Sequence, residues 1–348
     1  MTTLTTRKNI TIYDIAKEAG VSAATVSRIL TGSTSVRQEK RDRVMKLIEK
    51  YNFSPNAMAR ALTETRTKVI GMVLADTKNP YYSSVFTACG NEAYQRGYTT
   101  MLLNTSSKPE MEASALTKLR EQRVDAIIIC GGRIDLAEPD PDFMQLLQTT
   151  LRTTPIIVGS RSPMEKIHGV AVDHKGSVDQ AVEYLIGLGH RDIGFIYAGW
   201  ENYGTREKVA RFRQVMAGAG LTVCEDWMID VAGYDSVSGR TGIDRLMACS
   251  RRPTALLGLN DLLTAGMLQG LLDHGLRVPE DISLLGFDDT FITTITAPQL
   301  TAVHYDYDEY ARMLIDTAIA AMENEDCPQD QLVATSLAVK KSCARVTR

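Results

Sequence analysis

Apolar residues follow two different periods along this 348-residue chain, and the change falls near residue 68. In TIYDIAKEAGVSAATVSRIL, Thr11 to Leu30, they recur at helical spacing. Ile12, Ile15, Ala16 and Ala19 form one stripe, and Val26, Ile29 and Leu30 form another, with Gly20 and Val21 between. Two short helices joined by a tight glycine turn are predicted. Thr11 with Asp14 makes a capping-box-like start, and Ser22 can cap the second helix. A third helix is predicted from about Arg37 to Tyr51, capped by Ser35, with Val44, Leu47 and Ile48 inward and Phe53 closing the core. Such a unit is near the lower size limit for a core without metal or disulfide. Ser54 before Pro55 then opens a segment, Asn56 to Leu62, of only about two helical turns, which is marginal in water without a partner.

Beyond Val69 the pattern becomes short apolar runs separated by helix-period segments. The runs are residues 69–75, 99–104, 126–130, 155–160, 193–199, 255–260 and 282–287; the helical stretches include Ser83–Arg96, Pro109–Arg123, Ser177–Leu188 and Thr264–His274. Buried strands alternating with helices predict parallel sheets covered on both faces. A stretch of this length is too long for one such sheet, so two lobes are expected.

Charge divides the chain at the same place. Residues 1–66 carry twelve Lys/Arg against six Asp/Glu, a net of +6, while the remaining 282 carry −9. A basic head on an acidic body suggests that the head meets a polyanion. A short, capped second helix whose outer face is Ala23, Ala24, Ser27 and Arg28 suits a helix-turn-helix entering the major groove. Six cysteines, at 89, 130, 224, 249, 327 and 343, show no C-x-x-C or zinc spacing, so free thiols in a reducing compartment are expected. No run approaches a membrane span, and the N-terminus lacks the apolar stretch of a signal peptide, which argues against an exported solute receptor. Nucleotide-binding, nucleophile-elbow and zinc-protease motifs are absent and the five histidines are scattered; no enzyme, metal or cofactor is expected.

The segments TIYDIAKEAGVSAATVSR, NFSPNAMARAL, ADTKNPYY, LGHRDIGFI, RPTALLGLND, LRVPEDISLLGFDD and APQLTAV, in this order, resemble the lac-repressor (LacI/GalR) family of bacterial transcriptional regulators over essentially the whole chain. The resemblance implies a small all-α helix-turn-helix head and an α/β body of two flavodoxin-like, periplasmic-binding-protein-like lobes. The domains expected are residues 1–53 (head), 54–68 (hinge), 69–168 with 300–331 (first lobe) and 169–299 with 332–348 (second lobe), with crossovers near 168, 299 and 331. It also implies a homodimer on a palindromic double-stranded operator and a small effector, a sugar or alternatively a purine or nucleoside. The short tail after Lys341 has no leucine heptads, which favours a dimer over a zipper-joined tetramer.

On DNA the resemblance involves Thr11, Tyr13, Ser22, Ala23, Ala24, Thr25, Ser27 and Arg28, with Asn56, Ala59 and Leu62 in the hinge. Its base-reading positions fall on Ala23, Ala24 and Arg28. Arg28 can donate a bidentate pair to guanine, while the alanines offer only methyls and close approach; Thr25 and Ser27 suit phosphate. Leu62 matches the leucine that wedges a minor-groove base step.

Ligands of open α/β sheets sit at the carboxyl ends of strands, so the effector is expected between the lobes. Candidates there are Asp76, Tyr81, Tyr82, Ser160, Arg161, Arg206, Lys208, Tyr234, Asn260 and Asp288. Tyr81 and Tyr82 match effector-packing positions, though core aromatics would read the same way. Lys208 stands where many relatives have an effector-binding arginine, and Arg211 where they have glycine. Arg161, Arg206 and Lys208 leave an acidic sugar or sugar phosphate and plain surface ions all open. Asp288 can accept from sugar hydroxyls and Asn260 can donate and accept, whereas Asp261 and Asp289 are expected to cap helices.

Overall fold

The computed structural model describes residues 10–30, 36–51, 53 and 66–346. They fall into two compact units, Met1–Thr67 and Lys68–Arg348. In the first, α1 (Ile12–Ala19) opens on the expected capping box: Thr11 Oγ1 accepts from the Asp14 amide at 3.3 Å while the Thr11 amide donates to Asp14 Oδ2 at 2.9 Å. It ends on Gly20 at φ +66°, a left-handed conformation suited to glycine. Ser22 Oγ then accepts from the Thr25 amide at 3.2 Å and starts α2 (Ala23–Leu30). In α3 (Gln38–Lys50), Arg37 stands at the N-cap without a side-chain cap bond; the expected cap, Ser35, lies outside the described residues. Ile15, Ala16, Ala19, Val26, Ile29 and Val44 are buried together, and Leu47, Ile48 and Phe53 pack around them. Burying each large member contributes about 1.5–3 kcal/mol. The marginal hinge segment, with Asn56, Ala59 and Leu62, lies outside the described residues.

The second unit holds two six-stranded sheets. The first lobe contains β1 (Val69–Leu74), α4 (Pro80–Gln95), β2 (Thr99–Asn104), α5 (Pro109–Glu121), β3 (Ala126–Cys130), α6 (Pro141–Leu151), β4 (Ile156–Val158) and β5 (Ile167–Val172). The second begins with α7 (His174–Gly187) and continues through β6 (Ile193–Ala198), α8 (Tyr203–Gly218), β7 (Met228–Val231), α9 (Ser236–Met247), β8 (Ala255–Gly258), α10 (Asp261–Asp273), β9 (Ser283–Asp288), α11 (Ile292–Ile295) and β10 (Thr301–His304). The chain then returns through α12 (Tyr307–Glu323) and β11 (Asp330–Val333) to the first sheet, and β12 (Ser336–Ala338) closes the second. Sheet orders are β11-β5-β4-β3-β1-β2 and β12-β10-β9-β8-β6-β7. All pairings are parallel except β10 with β12. Every predicted apolar run contains a strand.

Two differences from the sequence reading have clear causes. The lobe crossings fall after Val172, after His304 and between Val333 and Ser336, rather than near 168, 299 and 331. A crossing at 168 would interrupt β5 while its backbone still pairs with β11 (Val170 with Gln331, Val172 with Val333), and one at 299 would detach β10 from β9, with which Val303 pairs at Phe287. Residues 300–304 therefore belong to the second lobe. The helices expected at Ser83, Ser177 and Thr264 begin three residues earlier, because Asn79, Asp173 and Asn260 accept first-turn amides and set the starts.

Candidate functional site

On the head, α2 presents one side to the small core and the other to solvent. Val26 and Ile29 are buried, whereas Ser22, Ala24 and Arg28 are exposed. Ala23 is half-buried against the core, so it offers less outward surface than Ala24. The Thr25 hydroxyl lies 2.9 Å from that of Ser22, which couples a suited phosphate contact to the cap itself. Thr11 is tied to Asp14, and Tyr13 is 73 % exposed one residue into α1. Of the four residues predicted for the outer face of α2, Ala24 and Arg28 are exposed and Ala23 and Ser27 are half-buried, the helix being held by caps at its own start and the turn before it.

Between the lobes, strand-end loops bring polar side chains together. Asp288 ends β9 with φ +93°, a conformation that costs a non-glycine residue about 1–3 kcal/mol. Two tyrosines from the crossover hold it there: Tyr305 donates to Oδ1 at 3.4 Å and Tyr307 to the main-chain oxygen at 3.2 Å. Burial lifts the Asp288 carboxyl to about 6, with Lys208 and Tyr305 pulling it back. Asp135, just past β3, is raised to about 6 as well, by burial and the Glu112 charge against the opposing Ser160 hydroxyl. Oδ1 of Asp135 and Oγ of Ser160 are buried, and among the described residues neither makes a hydrogen bond of good geometry, although the Ser160 hydroxyl is close enough to act on the Asp135 carboxyl.

Tyr82 belongs to this cleft. Burial is the main cause of its raised pKa, and Asp135, Tyr234 and Asp288 are among its charged or titratable neighbours. Its hydroxyl approaches Gly131 so closely that a Cβ there would lie 2.3 Å away. Tyr81 turns instead into the first lobe, its hydroxyl 3.4 Å from that of Tyr310, whose own proton goes to the Gly159 carbonyl at 2.8 Å. Both rings pack against the first lobe's core; Tyr82 has the cleft's polar groups as neighbours, and Tyr81 lies beside Tyr305 and Tyr307. Tyr234 accepts from the Asn202 amide, and Gly199 at φ +68° admits its hydroxyl, which a Cβ would clash with.

Other candidates are engaged elsewhere. Asp76 accepts from the Lys78 amide at 3.1 Å and shapes its own loop. Asn260 is 6 % exposed and uses both polar ends, accepting from Leu263 N at 2.8 Å and donating to the Tyr234 carbonyl at 3.1 Å. The capping role expected of Asp261 is thus taken by its neighbour, while Asp261 Oδ2 accepts from the Thr290 amide at 2.5 Å. Asp289 pairs with Lys340 and accepts from the Thr293 hydroxyl at 2.8 Å. Arg206 bridges to Glu138 of the other lobe at 3.2 Å, and Arg161 crosses in the opposite direction to Glu207 at 3.3 Å. A main-chain bond from Ala137 N to Glu201 O at 2.9 Å joins the lobes at the same rim, beside a Leu136–Asn202 bridge. Lys208, 9 % exposed, stays within the cleft with Nζ 4.5 Å from the Phe287 ring centre.

Asp135, His174, Asn202, Tyr305 and Tyr307 were not singled out from sequence. Asp135 follows a strand as the chosen candidates do, so the same rule could have found it; His174 could not be placed while β5 was unrecognised. Among the described residues no cluster of three His, Cys, Asp or Glu could hold a metal, and all six cysteines are free. No described helix is long and apolar enough to cross a membrane.

A capped helix-turn-helix and a two-lobed α/β body with a polar cleft together define a DNA-binding transcriptional regulator. Comparison with known proteins agrees. Residues 11–56 match the bacterial regulatory proteins of the lacI family, and residues 182–343 match a periplasmic binding protein-like domain. Over 317 residues the chain is 31 % identical to the HTH-type transcriptional repressor PurR of Haemophilus influenzae (strain PittEE), covering 91 % of this chain and 92 % of that protein. It is 30 % identical to catabolite control protein A of Priestia megaterium, covering 85 % and 87 %. The fold matches a crystal structure of the lac repressor dimer bound to operator and the anti-inducer ONPF, with TM-score 0.86 and 24 % identity over 97 % of this chain and all of that one. The chain belongs to the lacI family of bacterial regulatory proteins and is a DNA-binding transcriptional repressor of that family.

Proposed function

We propose that this repressor binds a palindromic operator as a homodimer in the cytoplasm, and that a small sugar or sugar derivative in the interlobe cleft switches its affinity. The genes it controls would serve uptake or breakdown of that carbohydrate, and the body performs no catalysis. One observation carries the effector reading: Asp135 and Asp288, one from each lobe, stand half-buried in one cleft with partly open acceptor capacity. Paired carboxylates of this kind accept from vicinal hydroxyls, and a ligand touching both would favour one lobe arrangement over another. Tyr82 and Tyr234 near each other also suit a planar base, so a purine or nucleoside is the second reading.

Selection of genomic fragments by the purified protein, followed by sequencing at two salt concentrations, tests the operator. A recovered two-fold sequence supports it; salt-sensitive retention without enrichment rejects specific reading. Thermal melts with sugar and nucleobase panels test the cleft, since a ligand bound only to the folded state raises the melting temperature. Stabilisation by bases alone would replace the sugar with the second reading.

A further inference from the structure

Asp135 owes its place in the cleft to a short turn that is fastened from behind. After β3 the chain passes Gly131 and Gly132 at φ +81° and +82° and makes a single 3-10 turn, Gly132–Asp135. A Cβ on Gly132 would lie 2.0 Å from Glu112 Oε1, so the turn is pressed against that carboxylate. Glu112, buried in the first turn of α5, accepts from the Arg133 amide at 3.0 Å and from Arg133 Nε at 2.6 Å. The same guanidinium donates to the Pro109 carbonyl at 3.1 Å. It also reaches Asp140, the N-cap of α6, at 3.5 Å and stands 4.5 Å from the Phe143 ring centre. One rigid fork thereby ties the starts of two helices to the turn after a strand, a task for which lysine has no matching geometry.

The residues that follow Arg133 work between the lobes. Leu136 bridges to Asn202, the Ala137 amide donates to the Glu201 carbonyl at 2.9 Å, and Glu138 pairs with Arg206 at 3.2 Å. These contacts set Asp135 beside the start of α8. Around its carboxyl stand Glu112 from α5, Ser160 past β4, Cys130 ending β3, Tyr82 from α4, Tyr310 from α12 and Tyr234 from the second lobe. We propose that Glu112 and Arg133 are positioning residues for the cleft: their buried pair fixes the turn that aims Asp135 at a ligand and sets Leu136, Ala137 and Glu138 against the second lobe. Ligand capture and lobe closure are then carried on one element, so a ligand that draws on Asp135 also biases how the lobes meet. The part played by Asp135 toward a ligand rests on the effector reading above, whereas the fixing of the turn does not.

The test is hydrogen exchange of the Ala137 amide in the full chain, read by NMR or on a peptide containing residues 134–138, together with the pH dependence of the body's stability. Arg133→Lys keeps the charge and loses the fork. It should speed exchange at Ala137 about tenfold or more, as expected when a charge-assisted hydrogen bond is lost. It should also erase the difference in pH profile between Asp135 and Asn at position 135, because a released carboxyl titrates in solvent near about 4. Gly266→Ala lowers the body's stability from the second lobe and should move neither readout, which separates positioning from a general loss of stability. Glu112→Gln keeps one acceptor for the Arg133 amide and gives up the other; it serves if Arg133→Lys does not fold, and should speed Ala137 exchange likewise. Exchange unchanged in the folded variant, or raised equally by Gly266→Ala, overturns the positioning role. Faster exchange with the Asp135 titration intact overturns the joining of both tasks on one element. A ligand panel that shifts no melting temperature rejects the effector reading and leaves these two readouts untouched.

Discussion

The head and the body of this repressor present function in opposite ways. The head exposes residues of one short helix, and the positions of Ala24 and Arg28 follow from the caps at Thr11 and Ser22 and from which residues face the core. The body assembles its cleft from loops far apart in sequence: Asp135 after β3, His174 opening α7, Lys208 on α8 and Asp288 ending β9. A local surface needs only a stable helix, whereas a cleft needs both sheets complete. The head should therefore fail by losing its small core, and the cleft by small changes in how two lobes close.

Four measurements can break or sharpen that contrast. The largest effect is expected from Ile15→Ala, since Ile15 is fully buried in the head; it should destabilise that unit by about 2–5 kcal/mol and leave the body's melting unchanged. Equal shifts in both units, read by residue-resolved hydrogen exchange, would show that they do not fold independently. Gly266→Ala should act on the body alone, because the new Cβ would lie 2.0 Å from the Ser236 carbonyl where α9 and α10 meet. Overpacking of this kind costs about 1–3 kcal/mol, seen as a lower denaturant midpoint for the body.

Arg28→Ala should weaken specific operator binding by about 1–3 kcal/mol and leave head stability nearly unchanged. Unaltered affinity in gel-shift titration would remove Arg28 from base reading. The smallest effect concerns pH. Asp135 titrates near 6 when folded and near 4 when unfolded, so over that window the folded chain holds more protons and loses stability as pH rises. Asp135→Asn lacks this titration. The stability of the original chain relative to the variant should therefore fall from pH 4 to 6 and level off above, and a constant difference in denaturation would show Asp135 to be solvated.

Much of this was legible in sequence where one segment sufficed. The head's stripes and caps, the apolar strands and the basic-to-acidic division all describe local patterns. Less legible were the short edge strands. β11 and β12 are four and three residues long with mixed burial, and their place in separate sheets depends on β5 and β10. The crossings moved accordingly. Tyr81 and Tyr82 show the same limit: both pack against the first lobe's core, and only the tertiary structure sets Tyr310 beside the hydroxyl of one and the cleft's polar groups beside the other. Asn260 and Asp261 are likewise a pair in which either could cap α10; the approach of Thr290 to Asp261 favours Asn260.

The sequence by itself determined the helix-turn-helix, the alternation of strands and helices, and the family, because these depend on periodicity, caps and ordered motifs within continuous stretches. The tertiary structure decided where the chain changes lobes, which polar residues share the cleft, and which of them are already satisfied. Ion-pair partners such as Glu207 for Arg161 and Glu138 for Arg206 are distant in the chain, so whether a charge faces a ligand or another side chain is set only when the two lobes meet.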